Sequence, residues 1–286
     1  MRKTKKTMNT NSVKLLLGIM ALSFGLTSCD RDESQTVTTL NNLVWSDEFD
    51  VDGAPNSSNW SFDIGRGPGG DGWGNNEQQY YTDSEENIRV QSGLLIITAR
   101  EESFGGADYT SARINSKDLR QFDRGRIEAR MQLPWGKGLW PAFWMLGADI
   151  DVNPWPGAGE IDILENVGQE PTIMFGSVHG PGYCGSPALC DEPNVSKEYD
   201  LGNDRFDTGF HVFGIEWGDR FINYYVDDVL YYQLTPDELP EDALWVFDKP
   251  FYLLLNVAVG GNLPGPPNDD TVFPQQLLVD YVRVYQ

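Results

Sequence analysis

Residues 125–134, GRIEARMQLP, alternate strictly. Ile127, Ala129, Met131 and Leu133 fall on one side of an extended chain, with Arg126, Glu128, Arg130 and Gln132 on the other. A period of two marks a strand with one buried face. The last ten residues, LLVDYVRVYQ (277–286), alternate again. GLLIITARE (93–101) and FYLLLNVAVGG (251–261) are apolar runs that read as buried strands. In 210–234, FHVFGIEWGDRFINYYVDDVLYYQL, Gly218-Asp219 and Asp227-Asp228 punctuate three strands, which predicts an antiparallel meander. No long amphipathic helical stretch, internal repeat or linker-like break interrupts the series. The pattern predicts an all-β protein with one domain over residues 41–286, two antiparallel sheets packed face to face as a β-sandwich. The nine Trp, twelve Tyr, fourteen Phe, thirty Gly and seventeen Pro suit such a fold better than a helical bundle.

The first 28 residues break the pattern. A basic stretch, MRKTKKTMNTNSVK, precedes the apolar LLLGIMALSFGL, and LTSC ends in Cys29. This has the form of a bacterial lipoprotein signal over residues 1–28, with Cys29 as the lipidated first residue of the mature chain and residues 29–40 as a polar tether. The alternative is an ordinary signal peptide with Cys29 free. Export to the periplasm or the outer membrane and cell surface is expected, with the membrane touched only through the lipid.

Charge narrows the partners. The leader holds five of the 21 Lys+Arg and no Asp or Glu, so its removal leaves 16 basic against 43 acidic residues and moves the net charge from −22 to −27. Such a surface repels nucleic acid and anionic membranes and argues for a neutral or cationic substrate. Apart from Cys29 the cysteines are Cys184 and Cys190, flanking a Gly/Pro loop; in an oxidising compartment they are most simply a disulfide. Two His, no C-x-x-C, and no H-E-x-x-H, G-x-S-x-G or G-x-x-x-x-G-K-[ST] argue against zinc, serine-hydrolase and nucleotide chemistry.

EIDILENVG (160–168) places Glu160, Asp162 and Glu165 among aliphatic residues. On a helix, Glu160 and Glu165 would diverge by roughly 140°. On a flat strand Glu160 and Asp162 share a face and Glu165 has the wrong parity. One extra residue, a β-bulge near Ile163-Leu164, would bring all three to one face. Glycoside hydrolysis needs two carboxyl groups flanking the scissile bond, and crowding pushes their pKa values apart. A solvated acidic strand or a calcium loop is the competing reading. Trp140, Trp144 and Trp155 lie nearby and offer stacking faces for sugar rings, or alternatively core packing. GWGNNEQQYYT (72–82) is polar and Gly-rich and reads as a cleft rim, with Trp73, Asn75 and Glu77 as contacts. Arg113 is a sugar-hydroxyl donor or a surface ion pair, and His179 reaches the cleft from the next strand or is structural.

Several ordered segments carry a family resemblance: VWSDEFD, WGNNEQQYYT, YTSARINSK, GRIEARMQLPWGKGLWPAFWMLG, GEIDILE, HGPGY and DYVRVYQ. Together they resemble the laminarinase-like branch of glycoside hydrolase family 16 over residues 43–286. The resemblance implies a jelly-roll β-sandwich of two curved antiparallel sheets with a concave substrate cleft. It implies a retaining endo-β-1,3-glucanase acting on laminarin-type glucan, extending to mixed β-1,3/1,4 chains. Glu160 is then the nucleophile, Glu165 the general acid/base and Asp162 the assisting acid, with the outer carboxyls about 5–5.5 Å apart. No cofactor serves catalysis. A structural calcium would be held by Glu48, the Gly93 carbonyl and Asp280, the alternative being ordinary surface contacts. Cys184 stands where relatives commonly have Ser, so the adjacent subsite is particular to this chain. A monomer with no appended module is expected. The competing functions are the same fold on lichenan or an agar-type galactan, a non-catalytic glycan-binding lipoprotein, and a calcium-dependent structural protein.

Overall fold

A computed structural model describes residues 40–185, 190 and 192–286. The leader, Cys29 and the tether before residue 40 lie outside them. The strands run in chain order as β1 (Leu43–Asp47), β2 (Ser61–Phe62), β3 (Gln79–Tyr81), β4 (Ile88–Gln91), β5 (Leu94–Phe104) and β6 (Ala107–Ser111). They continue as β7 (Arg113–Asn115), β8 (Gly125–Gln132), β9 (Leu139–Gly147), β10 (Glu160–Glu165), β11 (Ile173–His179) and β12 (Val195–Asp200). The last are β13 (His211–Gly218), β14 (Phe221–Val226), β15 (Val229–Leu234), β16 (Phe251–Val259) and β17 (Gln275–Tyr285).

Two sheets result. Seven strands in the order β12-β11-β10-β9-β16-β7-β2 form one; the other follows β15-β14-β13-β8-β17-β5-β6-β3, with β1 on β17 and β4 on β5. All pairings are antiparallel except β3 with β6. The predicted meander is present as β13-β14-β15, and Asp227 and Asp228 both take positive φ (49° and 64°), as a two-residue hairpin turn of matching twist requires.

The core lies between the sheets. From the seven-stranded sheet come Phe143, Met145, Ile161, Leu164, Val178 and Leu255; from the other come Ile127, Ala129, Met131, Phe213, Ile215 and Val282, all fully buried. Each occupies alternate positions of its strand, so the opposite parity of the seven-stranded sheet is left to face outward. That outward parity carries the functional residues.

Two expectations change. The polar side of β8 is not simply solvated: Glu128 is only 3% exposed. It lies under a lid of aromatic and guanidinium groups, accepting from Tyr225 Oη (2.8 Å) and Arg126 Nε (2.8 Å), with the Tyr281 and Tyr285 hydroxyls at 3.4 Å. Likewise GWGNNEQQYYT is not wholly a rim loop. Gln79 is fully buried and Glu77 is 5% exposed; Gln79 Nε2 donates to Glu77 Oε2 at 2.6 Å, and Val259 N–H donates to Gln79 Oε1 at 2.7 Å. These side chains satisfy backbone and one another, which makes their burial tolerable.

Gly176, on β11, sits on the core-facing parity opposite the bulge of β10. A Cβ there would run into the ring of Tyr224 and the hydroxyl of Tyr231. Tyr224 needs that space, because its hydroxyl donates to the Ser177 carbonyl at 2.9 Å. Gly176→Ala is expected to overpack this spot and lower stability by about 1–3 kcal/mol, read from the urea midpoint; an unchanged midpoint contradicts the packing described.

Candidate active site

β10 is held between β9 and β11, and both ladders lose register at the same place. On the β11 side Asp162 pairs with Ser177 and Glu165 with Phe175, so Ile163 and Leu164 together oppose Gly176. On the β9 side Asp162 pairs with Trp144 and Leu164 with Phe143, leaving Ile163 as the extra residue. The bulge predicted from the spacing is therefore present. Ile163 and Leu164 both go to the core, and Glu160, Asp162 and Glu165 all reach one outward face.

That face is the floor of a cleft of about 550 Å³. It crosses the sheet from Arg113 on β7, past Asn256 on β16 and Trp140 and Trp144 on β9, to Ser177 and His179 on β11 and Ser196 on β12. Trp155, Trp73, Asn75 and Glu77 line it from the flanking loops. Every substrate-contact residue named from the sequence is thus brought together. Asn256, Ser177, Phe175, Asn194 and Asn262, also in the lining, were not named. Asn256 had a visible signal, as the single polar residue within FYLLLNVAV; it accepts from Trp144 Nε1 at 2.8 Å. Ser177 shares the parity of His179.

Each acid has a different set of partners. Trp155 Nε1 donates to Glu160 Oε2 at 3.0 Å. Trp140 Nε1 donates to Glu165 Oε1 at 3.1 Å, and Ser177 Oγ to Glu165 Oε2 at 3.3 Å. His179 Nδ1–H donates to the Cys184 carbonyl at 2.7 Å, which turns Nε2 toward the acids, 3.1 Å from Asp162 Oδ2 and 3.8 Å from Glu160 Oε1. Burial raises the pKa of Glu165, with the charge of Glu160 adding to it and His179, Trp140 and Ser177 opposing it. Burial also lifts Asp162 well above the usual carboxylate range, aided by Glu160 and Glu165. Burial pulls the His179 imidazole down, but Asp162, then Glu160 and Glu165, overcome this and push it up to about 10. Both members of the Asp162–His179 pair are held toward their protonated forms, so the pair keeps a proton at neutral pH.

Arg113 answers to both of its readings. Its guanidinium lies over the Trp73 ring (4.5 Å) and the Trp144 ring (4.8 Å), with Nε 2.8 Å from Asp63 Oδ2, and the residue lines the cleft. The Cys184 and Cys190 sulfurs are adjacent, with Cα atoms 6.4 Å apart, a separation a disulfide accommodates.

Glu48 and Asp280 have other partners. Both Glu48 carboxylate oxygens take hydrogen bonds from Arg283, at 2.9 and 2.8 Å, and Asp280 Oδ2 takes one from Arg130 at 2.7 Å. Gly93 forms the β4–β5 turn with φ 78°. A calcium held by the Glu48 side chain would have to displace a two-pronged arginine, so the side chains as placed do not fit that ion, and no step is derived through it.

A β-sandwich presenting two carboxyls with different hydrogen-bond partners in an aromatic-walled cleft has the layout of a carboxylate-dependent glycosidase. The family model described as Glycosyl hydrolases family 16 matches residues 75–281. The chain is 44% identical over 252 residues to a beta-glucanase of Rhodothermus marinus, covering 85% of each protein. It superposes on the laminarinase catalytic domain of Thermotoga maritima with a TM-score of 0.79 at 46% identity, covering 86% of this chain and 98% of that one. An endo-1,3-1,4-beta-glycanase, EglC, of Rhizobium meliloti is 31% identical over 225 residues, 74% of this chain and 44% of that protein. The chain belongs to glycosyl hydrolase family 16.

The Trp140 N–H stabilises the ionised form of Glu165, so its removal should let the Glu165 pKa rise further. Trp140→Phe is therefore expected to move the alkaline limb of the kcat/KM profile to higher pH. A limb that stays put or moves to lower pH would contradict Glu165 as the proton donor.

Proposed function

We propose that the protein is an endo-acting, retaining β-1,3-glucanase that cleaves laminarin-type glucan and also accepts mixed β-1,3/1,4-glucan. The observation that carries this reading is the β10 bulge, which turns Glu160 and Glu165 to one cleft with unequal surroundings. Glu160 and Glu165 are both half-buried but differ in partners. Glu160 keeps Oε1 free of the Trp155 bond and serves as the nucleophile that attacks the anomeric carbon. Glu165, held toward its protonated form, gives its proton to the leaving oxygen, then takes one from water as that water releases the sugar. Asp162 and His179 retain a proton beside Glu160 and limit the charge that builds up around it.

The cleft crosses the whole sheet rather than ending in a pocket, which supports attack within a chain. An acidic surface and a floor of indoles suit a neutral glucan. The β-1,3 linkage is supported by the activity of the Thermotoga maritima and Rhodothermus marinus relatives, and the mixed linkage by that of EglC. We also propose export by the basic-apolar leader, anchoring through a lipid on Cys29, and a Cys184–Cys190 disulfide formed after export.

With laminarin as substrate and reducing ends as readout, Glu165→Gln is expected to lower kcat by about 10²- to 10⁴-fold, and Glu160→Gln to abolish turnover, each with an unchanged circular dichroism spectrum. Lichenan should be cut by the wild type as well. Release of sugar by Glu165→Gln at the wild-type rate would remove the mechanism; release from lichenan or agar but not laminarin would remove the substrate.

A further inference from the structure

The acid cluster sets two carboxylates beside an imidazole nitrogen. Glu160 Oε1, Asp162 Oδ2 and His179 Nε2 lie within 4.8 Å of one another. Asp162 is 3% exposed, and its Oδ2 lies 3.1 Å from His179 Nε2. The same Nε2 lies 3.8 Å from Glu160 Oε1. Separations of 3.1 and 3.8 Å match neighbouring donors around a single small cation with metal–ligand bonds of about 2.0–2.2 Å.

The outer contacts orient two of the three donors. The Nδ1–H bond to the Cys184 carbonyl leaves Nε2 as the ligating nitrogen, the arrangement that fixes a metal-bound imidazole. The Trp155 bond occupies Glu160 Oε2 and leaves Oε1 for the cleft. The cavity above supplies room for water at the remaining coordination positions.

We propose that Glu160 Oε1, Asp162 Oδ2 and His179 Nε2 form a binding site for a divalent transition cation, which inhibits the enzyme by occupying its nucleophile. One imidazole and two carboxylates suit Zn²⁺, Cu²⁺ or Ni²⁺ better than Ca²⁺ or Mg²⁺, which favour all-oxygen shells. Coordinated, Glu160 Oε1 cannot attack an anomeric carbon, and the cation stands where the reacting sugar must lie. The inhibitory consequence rests on the assignment of Glu160 under the proposed function; the binding itself does not.

The test separates the two. ZnCl₂ is titrated into the full-length protein by isothermal titration calorimetry, beside CaCl₂ and MgCl₂. One Zn²⁺ per chain is expected, with Ca²⁺ and Mg²⁺ at least tenfold weaker. His179→Gln and Asp162→Asn should each weaken Zn²⁺ by about ten- to a hundredfold. Glu165→Gln, outside the donor set, should bind as the wild type does, and circular dichroism checks that each variant is folded. In parallel, laminarin hydrolysis should be inhibited by ZnCl₂ competitively with substrate and restored by EDTA. Absence of Zn²⁺ binding, or binding that survives both His179→Gln and Asp162→Asn, overturns the site. Binding as expected in a protein that never cleaves laminarin upholds the site and overturns the glucanase reading instead.

Discussion

A strand held in the middle of a sheet can give one face to the core and the other to solvent, and it changes face with every residue. β10 must bury Ile161, Ile163 and Leu164 and yet aim three acids outward, which no regular strand of six residues can do. The bulge resolves the conflict. It gives up ladder pairing at Ile163 and Leu164 on the β11 side and at Ile163 on the β9 side, and places two consecutive aliphatic side chains in the core. Their burial, roughly 1.5–3 kcal/mol for each such side chain, offsets the lost pairing. The neighbouring strands are shaped to accept it. Gly176 leaves out a side chain where β11 faces the doubled residues, and Tyr224 fills the space from the other sheet.

Bringing three carboxyls into a partly dehydrated floor is unfavourable unless charge is withheld or matched. The fold does both, with donors drawn from separate elements. Trp140 comes from β9, Ser177 and His179 from β11, and Trp155 from the loop leading into β10. None of these contacts is strong alone. Together they make Glu160 and Glu165 unlike, though the two side chains are chemically identical, and unlike carboxyls are what a double displacement at one carbon needs.

The parity of positions 160, 162 and 165 was readable because a strand's period leaves no other way to share a face, and the three-strand meander was readable from its turn residues. What remained hidden depends on chain segments far apart in sequence. Glu128 is covered by tyrosines of β14 and β17, so alternation within β8 alone made it a surface residue. Glu77 and Gln79 look too polar for an interior until Tyr81 and the β16 backbone supply their partners. Glu48 finds Arg283 across almost the whole chain, and nothing local distinguishes an arginine partner from a metal. Asn256 was legible as a lone amide in an apolar run, but its role required knowing that Trp144 lies beside it.

The Arg113 stack has a mechanical consequence. A guanidinium within 5 Å of two indole rings and paired at Nε with Asp63 swings less freely than an exposed arginine does. That edge of the groove is set before any ligand arrives, so little rotamer freedom of this side chain remains to be lost when one settles against it.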